Sequence, residues 1–264
     1  MELQSQHFRE KAADALADSA AVAQRDKIAQ FTPIIRDAAM QEFGSFEALR
    51  KHIKRIRQHS LDNLDYYLAR FELEATNNGN QVHYADTPDE MNSIVLDICQ
   101  QHGAHRVAKG KSMVTEETAL NDYLQRGGLE VVETDLGEYI IQQAGETPSH
   151  IVAPALHKSK QEIRELFLEK HALGERALET TEDLVDEARS VLRETFLKAD
   201  VGIIGSNALI AENGYSMLVT NEGNGDLCAN LPNVLIICTT LDRILPRGEA
   251  ATAMRRWLAR STPG

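Results

Sequence analysis

A polar loop behind an apolar strand pattern contains the residue types best suited to chemistry in this chain. Residues 215–219 have the pattern of a strand, and residues 220–225 follow it with the sequence Thr-Asn-Glu-Gly-Asn-Gly. Open α/β sheets bind ligands beyond the carboxyl ends of their strands, where polar side chains and free backbone N–H groups meet. Glu222 is therefore a predicted general acid or base. The residues predicted to orient a ligand beside it are Thr220, Asn221, Gly223 and Asn224. The alternative interpretation is a hairpin turn, because Asn-Gly is a strong turn signal.

A second polar loop, residues 109–117, lies between a strand pattern at 105–108 and a helical pattern at 115–125. Backbone N–H groups at a helix start, together with two lysines, predict a binding site for a carboxylate or a phosphate. The predicted ligand-binding residues are Lys109, Lys111, Ser112 and Thr115, and Glu117 is a predicted catalytic acid. A nucleotide P-loop is excluded, because His105 stands where that motif needs its first glycine. The alternative is two solvated lysines beside a capped helix.

Further candidates stand near the ends of other strand patterns. Glu133, Asp135 and Glu138 add acids to Glu117, and if two of them converge, the pKa of one should rise. His157 and Lys158, which follow a strand pattern at 151–154, are weaker candidates for binding a carboxylate. Close backbone approach beside the ligand loop is the predicted role of Gly202, Gly205, Asn207 and Gly214. Helix capping and packing are the alternative roles for all of these residues.

The composition limits the classes of partner. The chain has 264 residues, 42% of them hydrophobic, which is enough for a sizeable core. A net charge of -12 disfavours nucleic acid and anionic membranes as partners. No apolar run has the length of a membrane span and no signal pattern begins the chain, so the predicted location is the cytoplasm.

The cysteines and histidines predict neither a metal site nor a redox cofactor site. Cys99, Cys228 and Cys238 are dispersed, which predicts reduced, buried thiols and excludes an ordinary four-cysteine iron–sulfur cluster. No histidine pair has the spacing of a helical zinc motif. A dinucleotide fingerprint is also missing, because Cys228 stands where a third glycine is needed.

The hydrophobic pattern of the sequence changes near residue 77. Residues 1–76 form a predicted helical N-terminal region, and residues 77–264 alternate short apolar runs with helical patterns, as in an α/β sheet. The predicted strands are 82–85, 105–108, 130–133, 151–154, 201–204, 215–219 and 234–238. The predicted helices after the turn at 77–80 lie near 87–102, 115–127, 159–172, 182–198 and 249–259. Predicted helix caps are Ser159, with Glu162 three residues on, and Thr180 or Thr181.

Five blocks carry a resemblance to a known family. They are Lys-Ser-Met-Val-Thr-Glu-Glu at 111–117, Glu-Thr-Asp-Leu-Gly-Glu-Tyr-Ile at 133–140, Ser-His-Ile-Val-Ala-Pro-Ala-Leu-His-Lys-Ser at 149–159, Ala-Asp-Val-Gly-Ile at 199–203 and Thr-Asn-Glu-Gly-Asn at 220–224. With them the chain resembles the lactate utilisation protein B family and its LUD domain over about residues 45–260. It departs from the family at Gly110, where a serine is expected, and at Asn213, where a threonine is usual.

The resemblance implies both a fold and a role. The fold is similar to the NagB/RpiA/CoA-transferase group, an open α/β sheet with flanking helices. The role is that of one component, rather than a complete enzyme, of a cytoplasmic electron-transfer complex that oxidises L-lactate to pyruvate. Family members carry two [4Fe–4S] clusters in a ferredoxin-like part after this region, so we expect these residues themselves to bind no cofactor. The expected partners are the other subunits of that complex and a small carboxylate or phosphate ligand.

Two other hypotheses belong to different functional classes. In the first, the chain is an independent enzyme, CoA-transferase-like or acting on sugar phosphates, that uses Glu212 or Glu222 as nucleophile or base. The run Glu212-Asn213-Gly214 resembles an element of CoA transferases, although Ala211 replaces a serine. In the second, the helical N-terminal region docks partner subunits, and the stripe of Leu49, Ile53 and Ile56 should then be exposed.

Overall fold

The structure is a computed structural model that describes residues 7–42, 44–149, 153–174, 176–220 and 222–261. The chain forms two compact units, each built from separate stretches of sequence. The first unit comprises Met1–Ile28, Val95–Ile204 and Glu222–Ile236, and the second comprises Ala29–Ile94, Gly205–Asn221 and Ile237–Gly264.

In chain order the elements are α1 (Phe8–Ala17), α2 (Ser19–Gln41), α3 (Phe46–Asp62), α4 (Leu64–Asn77), α5 (Pro88–Gln101), β1 (Arg106–Lys109), α6 (Met113–Glu117), α7 (Leu120–Arg126), β2 (Glu130–Glu133), α8 (Leu136–Ala144), α9 (Lys160–Lys170), α10 (Thr181–Lys198), β3 (Val201–Gly205), β4 (Ala208–Ile210), β5 (Tyr215–Met217), α11 (Asn224–Asn230), β6 (Val234–Cys238), β7 (Ile244–Leu245) and α12 (Gly248–Ser261).

A four-stranded parallel sheet in the order β2-β1-β3-β6 is the centre of the first unit. All five residues of β3 are buried, as expected for a strand of a sheet covered on both faces. Helices α7 and α8 contact β2, while α10 and α11 contact β1. Within the sheet, β2, the strand that follows β1 in sequence, pairs with one edge of β1, and β3 pairs with the other edge. The carboxyl ends of β1 and β3 therefore form a topological switch point, where open α/β sheets bind ligands.

Two features position the inner strands of this sheet. The carboxylate of Asp200 accepts hydrogen bonds from the backbone N–H groups of His105 and Arg106, at 2.8 and 2.9 Å, and so joins the starts of β3 and β1. Gly202 allows α11 to approach β3, because a Cβ atom there would lie 1.9 Å from the carbonyl oxygen of Cys228. This observation confirms the predicted close backbone approach at Gly202.

The second unit contains a three-stranded sheet in the order β5-β4-β7. Ala208 and Ile210 pack with residues of α12 such as Ala251, while Leu209 on the opposite face packs against α4. Alternate residues of β4 thus bury both faces of the sheet. Gly214, in the turn after β4, has a positive φ of 69°, and a Cβ atom there would lie 2.3 Å from the backbone nitrogen of Ala75 in α4.

The predicted mixed α/β class, with a helical N-terminal region, is confirmed. The strands at 130–133 and 234–238 have the predicted bounds, and Ser159 and Thr180 form the predicted capping boxes. Cys99, Cys228 and Cys238 are free and buried, as predicted. In the described part of the chain, none of the helices is long and apolar enough to cross a membrane.

Several predicted elements are wrong. Residues 82–85 form no strand, and neither do Ala153 and Pro154, while residues 151 and 152 lie outside the described residues. The helix expected at 115–127 is two helices, because Ala119 has a left-handed φ of 52° that interrupts it. The strand expected at 215–219 ends at Met217. The sequence patterns also missed α8, α11, β4 and β7.

Candidate functional site

A buried ion pair lies at the carboxyl ends of β1 and β2. The two strands are in parallel register with Lys109 opposite Glu133, and Lys109 Nζ lies 2.6 Å from Glu133 Oε1. Neither side chain is more than 3% exposed. Lys109 Nζ also donates to Glu116 of α6, at 3.2 Å, and the amide of Asn121 donates to Glu133 Oε1 at 2.6 Å. The lysine charge is therefore compensated inside the protein, which rules out the solvated-lysine interpretation at Lys109.

Burial acts on both partners of this pair. Burial alone would lower the pKa of Lys109, but the negative charges of Glu133 and Glu116 outweigh it, so the pKa is raised. Burial also raises the pKa of Glu133, against the opposing effect of Lys109. The pair is thus held together by short hydrogen bonds in a site that penalises isolated charge.

The loop after β1 begins α6 with a side-chain cap. Ser112 is buried, and its hydroxyl accepts a hydrogen bond from the backbone N–H of Thr115. The hydroxyl of Thr115, also buried, donates back to the carbonyl oxygen of Ser112 at 2.9 Å. Both residues, predicted as ligand-binding, thus fix the shape of this loop.

Lys111 and Glu138 lie on the side of the site that is partly exposed to solvent. Lys111 Nζ lies 3.8 Å from Glu138 Oε1, and the Glu138 side chain is only 6% exposed. Burial, with smaller contributions from Glu116 and Glu133, raises the pKa of Glu138 to about 7, although Lys111 opposes the shift. Burial, rather than the predicted convergence of acids, is thus the largest cause of the raised pKa, and the charge of Glu133 adds to it. A carboxyl group with this pKa can hold or release a proton at neutral pH.

The polar loop after β5 reaches the same acids through Glu222. The pKa of Glu222 is raised by burial and by the charge of Asp135, with which Glu222 shares a hydrogen bond. Asp135 in turn caps α8, because its carboxylate accepts from the backbone N–H groups of Gly137 and Glu138. The positive charge of Lys111 acts on Glu222 in the opposite direction. The two loops singled out in the sequence therefore meet in the first unit.

Thr134 connects this cluster to β1. Its hydroxyl donates to the carbonyl oxygen of Lys109 at 2.9 Å and lies 3.3 Å from the Cys228 sulfur. The amide of Asn224 donates to the same hydroxyl at 3.4 Å, and Gly223 begins α11 with a positive φ of 75°. Asn224 thus contacts Thr134, which lies between Glu133 and Asp135 in the sequence, and its role in ligand binding stays a prediction.

Other predicted residues have different surroundings. His157 and Lys158 both contact Glu146, and His157 Nδ1 also lies 2.8 Å from Ser149 Oγ. Hydrogen bonds from His157 and Lys158 lower the pKa of Glu146. Glu117 is exposed on α6, and its neighbour Glu116 is the acid that contacts Lys109.

Five of the predicted site residues belong to the second unit. Glu212 is exposed, and its carboxylate accepts a hydrogen bond at 3.0 Å from the backbone N–H of Gly248, at the start of α12. Asn207 accepts from the backbone N–H of Val219 at 2.7 Å and holds the chain after β5. Gly205 ends β3 and Thr220 follows β5, while Asn221 lies outside the described residues.

Glu116, Asn121 and Thr134 were not identified from the sequence. Glu116 and Glu117 are adjacent in a helix of only five residues, where periodicity cannot show which one faces inward. Asn121 lies in α7, whose separate register is set by the break at Ala119. Only Thr134, between two acids after a predicted strand, had a detectable signal.

Comparison with known proteins identifies the family of this chain. Residues 68–264 match the family model of the LUD domain. Lactate utilization protein B of Bacillus velezensis is 47% identical over 227 residues, which cover 86% of this chain and 47% of that protein. The Bacillus subtilis protein of the same name is 45% identical, with the same coverage of both chains. The Bacillus licheniformis protein is 41% identical over 100% of this chain and 55% of its own length.

These relatives are longer proteins, since the chain spans about half the length of the curated relatives it matches. No solved structure matches the chain. The family model covers well over half of the residues and includes all of the acid cluster around Lys109. The chain therefore belongs to the LUD domain family.

Proposed function

We propose that the chain is the LUD portion of a component in the oxidation of L-lactate to pyruvate, working within a cytoplasmic electron-transfer complex rather than as a complete enzyme. The observation that carries the proposal is the 41–47% identity to proteins named Lactate utilization protein B. The resemblance in the five sequence blocks supplies the finer assignment to an iron–sulfur subunit.

Within this role, the site at Lys111 and Glu138 binds a small carboxylate. Lys111 provides the cation for the ligand. Glu116 and Glu133 contact Lys109, and Glu138 lies 3.8 Å from Lys111. Glu222, which shares a hydrogen bond with Asp135, adds a further acid near Lys111. An anion therefore binds only if some of these acids hold protons. Glu138, whose pKa is raised to about 7, can meet that requirement near neutral pH. A protonated carboxyl group can then donate a hydrogen bond to the ligand, and Glu138 can exchange its proton near neutral pH.

The iron–sulfur clusters implied by the resemblance do not fit the residues present. Such clusters need four cysteine ligands, and this chain has three, all buried and dispersed. Among the described residues, no group of three or more His, Cys, Asp or Glu side chains could hold a metal ion. We therefore propose that any clusters are held by cysteines from outside these residues, and we assign the LUD portion no redox step.

The alternative hypotheses have less support from geometry. Glu212 already accepts the hydrogen bond of Gly248, which gives it a role at the start of α12. Of the stripe proposed for docking partner subunits, Ile53 is buried, and Leu49 and Ile56 are half-buried. An interaction scaffold would need a different surface.

Growth tests the proposed role directly. The gene for the natural protein that contains this chain should be deleted in a host without other L-lactate oxidases. We expect growth on L-lactate to stop, growth on pyruvate to continue, and a plasmid copy to restore growth on L-lactate. Undiminished growth on L-lactate after the deletion would refute the proposed role.

A further inference from the structure

The second unit contains a cavity whose lining residues include none of those discussed for the first unit. It has a volume of about 310 Å³ and is lined by residues of α3, of α4 and of the start of α12. Small-molecule sites in proteins begin at about 300 Å³. The cavity is therefore large enough for a small organic ligand.

Arg247 is the strongest candidate for a ligand contact in this cavity. In the part of the chain that the structure describes, its guanidinium group has no hydrogen bond or ion pair, whereas Arg57 of the same unit donates to Asp242 at 2.9 Å. A guanidinium group presents several donors in one plane, which suits a carboxylate in a bidentate arrangement. Arg247 is thus a donor that the fold itself does not use.

Further donors stand on the neighbouring helices. His52 and His59 are seven residues apart on α3, so both lie on the helix face that lines the cavity. His59 Nε2 lies 2.9 Å from the Tyr67 hydroxyl of α4. The remaining lining includes the apolar side chains of Ile56 and Ala250, which belong to the packed core of this unit. The cavity is therefore lined by both polar and apolar side chains.

The charges around the cavity indicate the class of ligand. Helix α3 carries five Lys or Arg side chains, none of which lines the cavity, and two of them pair with Glu47 and Asp242. The cation in the lining itself is Arg247, which attracts anions. Glu249, which also lines the cavity, repels anions of higher charge. A monoanion is therefore favoured over a phosphate dianion.

We propose that this cavity binds a small organic monocarboxylate, whose carboxylate pairs with Arg247 and whose apolar part lies against Ile56 and Ala250. The inference does not depend on the proposed role in lactate oxidation, since it uses other residues in the other unit. It assigns the second unit a ligand site of its own.

Titration of the protein with benzoate, followed by calorimetry and by NMR of the histidine ring protons, tests the inference. The NMR signals of His52 and His59 are assigned from His52→Gln and His59→Gln. We expect benzoate to shift both signals, and Arg247→Gln to weaken binding by about tenfold or more. The matched control is Arg255→Gln, the same change at an exposed position of α12 outside the cavity, and it should leave binding unchanged.

Two further measurements separate this site from its alternatives. Inorganic phosphate should bind more weakly than benzoate. In Lys111→Met, which removes the cation of the site in the first unit, benzoate should still shift the His52 and His59 signals as it does in the wild type. The inference is overturned if benzoate shifts neither signal, if Arg247→Gln binds it as tightly as the control, if phosphate competes equally well, or if Lys111→Met abolishes the His52 and His59 shifts. Melting temperatures of the variants confirm that each one is folded.

Discussion

Lys109 Nζ and Glu133 Oε1 lie 2.6 Å apart between paired residues of neighbouring parallel strands, and both side chains are buried. Their contact joins the ends of β1 and β2 at the points where the loops leading to α6 and to α8 begin. A buried ion pair of this kind adds little net stability, but removal of one partner leaves an isolated charge that is costly. The pair therefore holds the two loops in place.

Replacement of Lys109 by methionine should strongly destabilise the protein. Glu133 would lose its cation while remaining buried, and the expected cost is about 3 to 5 kcal/mol of unfolding free energy. Urea denaturation measures this cost. The control is Lys198→Met, which breaks a Lys–Glu pair of the same 2.6 Å length on the exposed face of α10 and should cost about 0.5 kcal/mol or less. Equal costs for the two variants would contradict the account of the buried pair.

Glu138 should make the stability of the protein depend on pH. Its pKa rises from 4.5 to about 7 on folding, so between these values the native state binds the proton more tightly than the unfolded state. Its contribution to stability is therefore lost as pH rises through that window. We expect Glu138→Gln to gain stability relative to the wild type between pH 5 and pH 8, by about 1 to 3 kcal/mol. Thermal unfolding across this range measures the difference.

An exposed glutamate provides the comparison for this titration. Glu165→Gln on α9 should follow the wild-type stability profile at every pH. If Glu138→Gln also follows the wild-type profile, the carboxyl group of Glu138 does not titrate in the assigned window.

Gly202 should tolerate no side chain. A Cβ atom there would lie 1.9 Å from the backbone carbonyl oxygen of Cys228, so Gly202→Ala forces α11 away from β3. We expect a loss of at least about 3 kcal/mol, or an insoluble protein. Gly44→Ala is the matched change, because nothing lies within 4 Å of a Cβ atom there, and it should shift stability by about 0.5 kcal/mol or less. A soluble Gly202→Ala protein of unchanged stability would show that the close approach is absent.

The cysteines should react only after unfolding. All three thiols are buried, and burial raises the pKa of Cys99 and of Cys228 to about 11. The reactive thiolate is therefore scarce at pH 8. We expect a thiol reagent to modify the native protein far more slowly than the protein in denaturant. Rapid modification of a native cysteine, located by peptide mass analysis, would contradict the buried positions.

The sequence predicted the sheet better than the small elements around it. The strand at 234–238 is an apolar run, and the strand at 130–133 has two valines between two glutamates, and both patterns predicted strands correctly. Strands β4 and β7 have three and two residues, which is too short for a pattern. The break at Ala119 escaped detection because alanine is the best helix former, and nothing local signals its left-handed conformation.

The site was partly predictable for a related reason. The ends of parallel strands meet at one edge, so polar residues after β1 and β2 were expected to converge. Burial was not predictable from the loop sequence, and it turned Lys109 from a presumed ligand contact into a structural partner of Glu133. Glu212, by contrast, resembles a catalytic residue in its sequence context but contacts the start of α12.

The most direct test of the central claim is growth of the deletion strain when the full-length protein is supplied with a single change in the site. If Lys111 and Glu138 form the working site, Glu138→Gln and Lys111→Met should each slow growth on L-lactate by about tenfold, at normal protein levels and with normal growth on pyruvate. Glu165→Gln should grow like the wild type. Wild-type growth on L-lactate by both site variants would contradict the claim and leave the LUD portion with only a structural role.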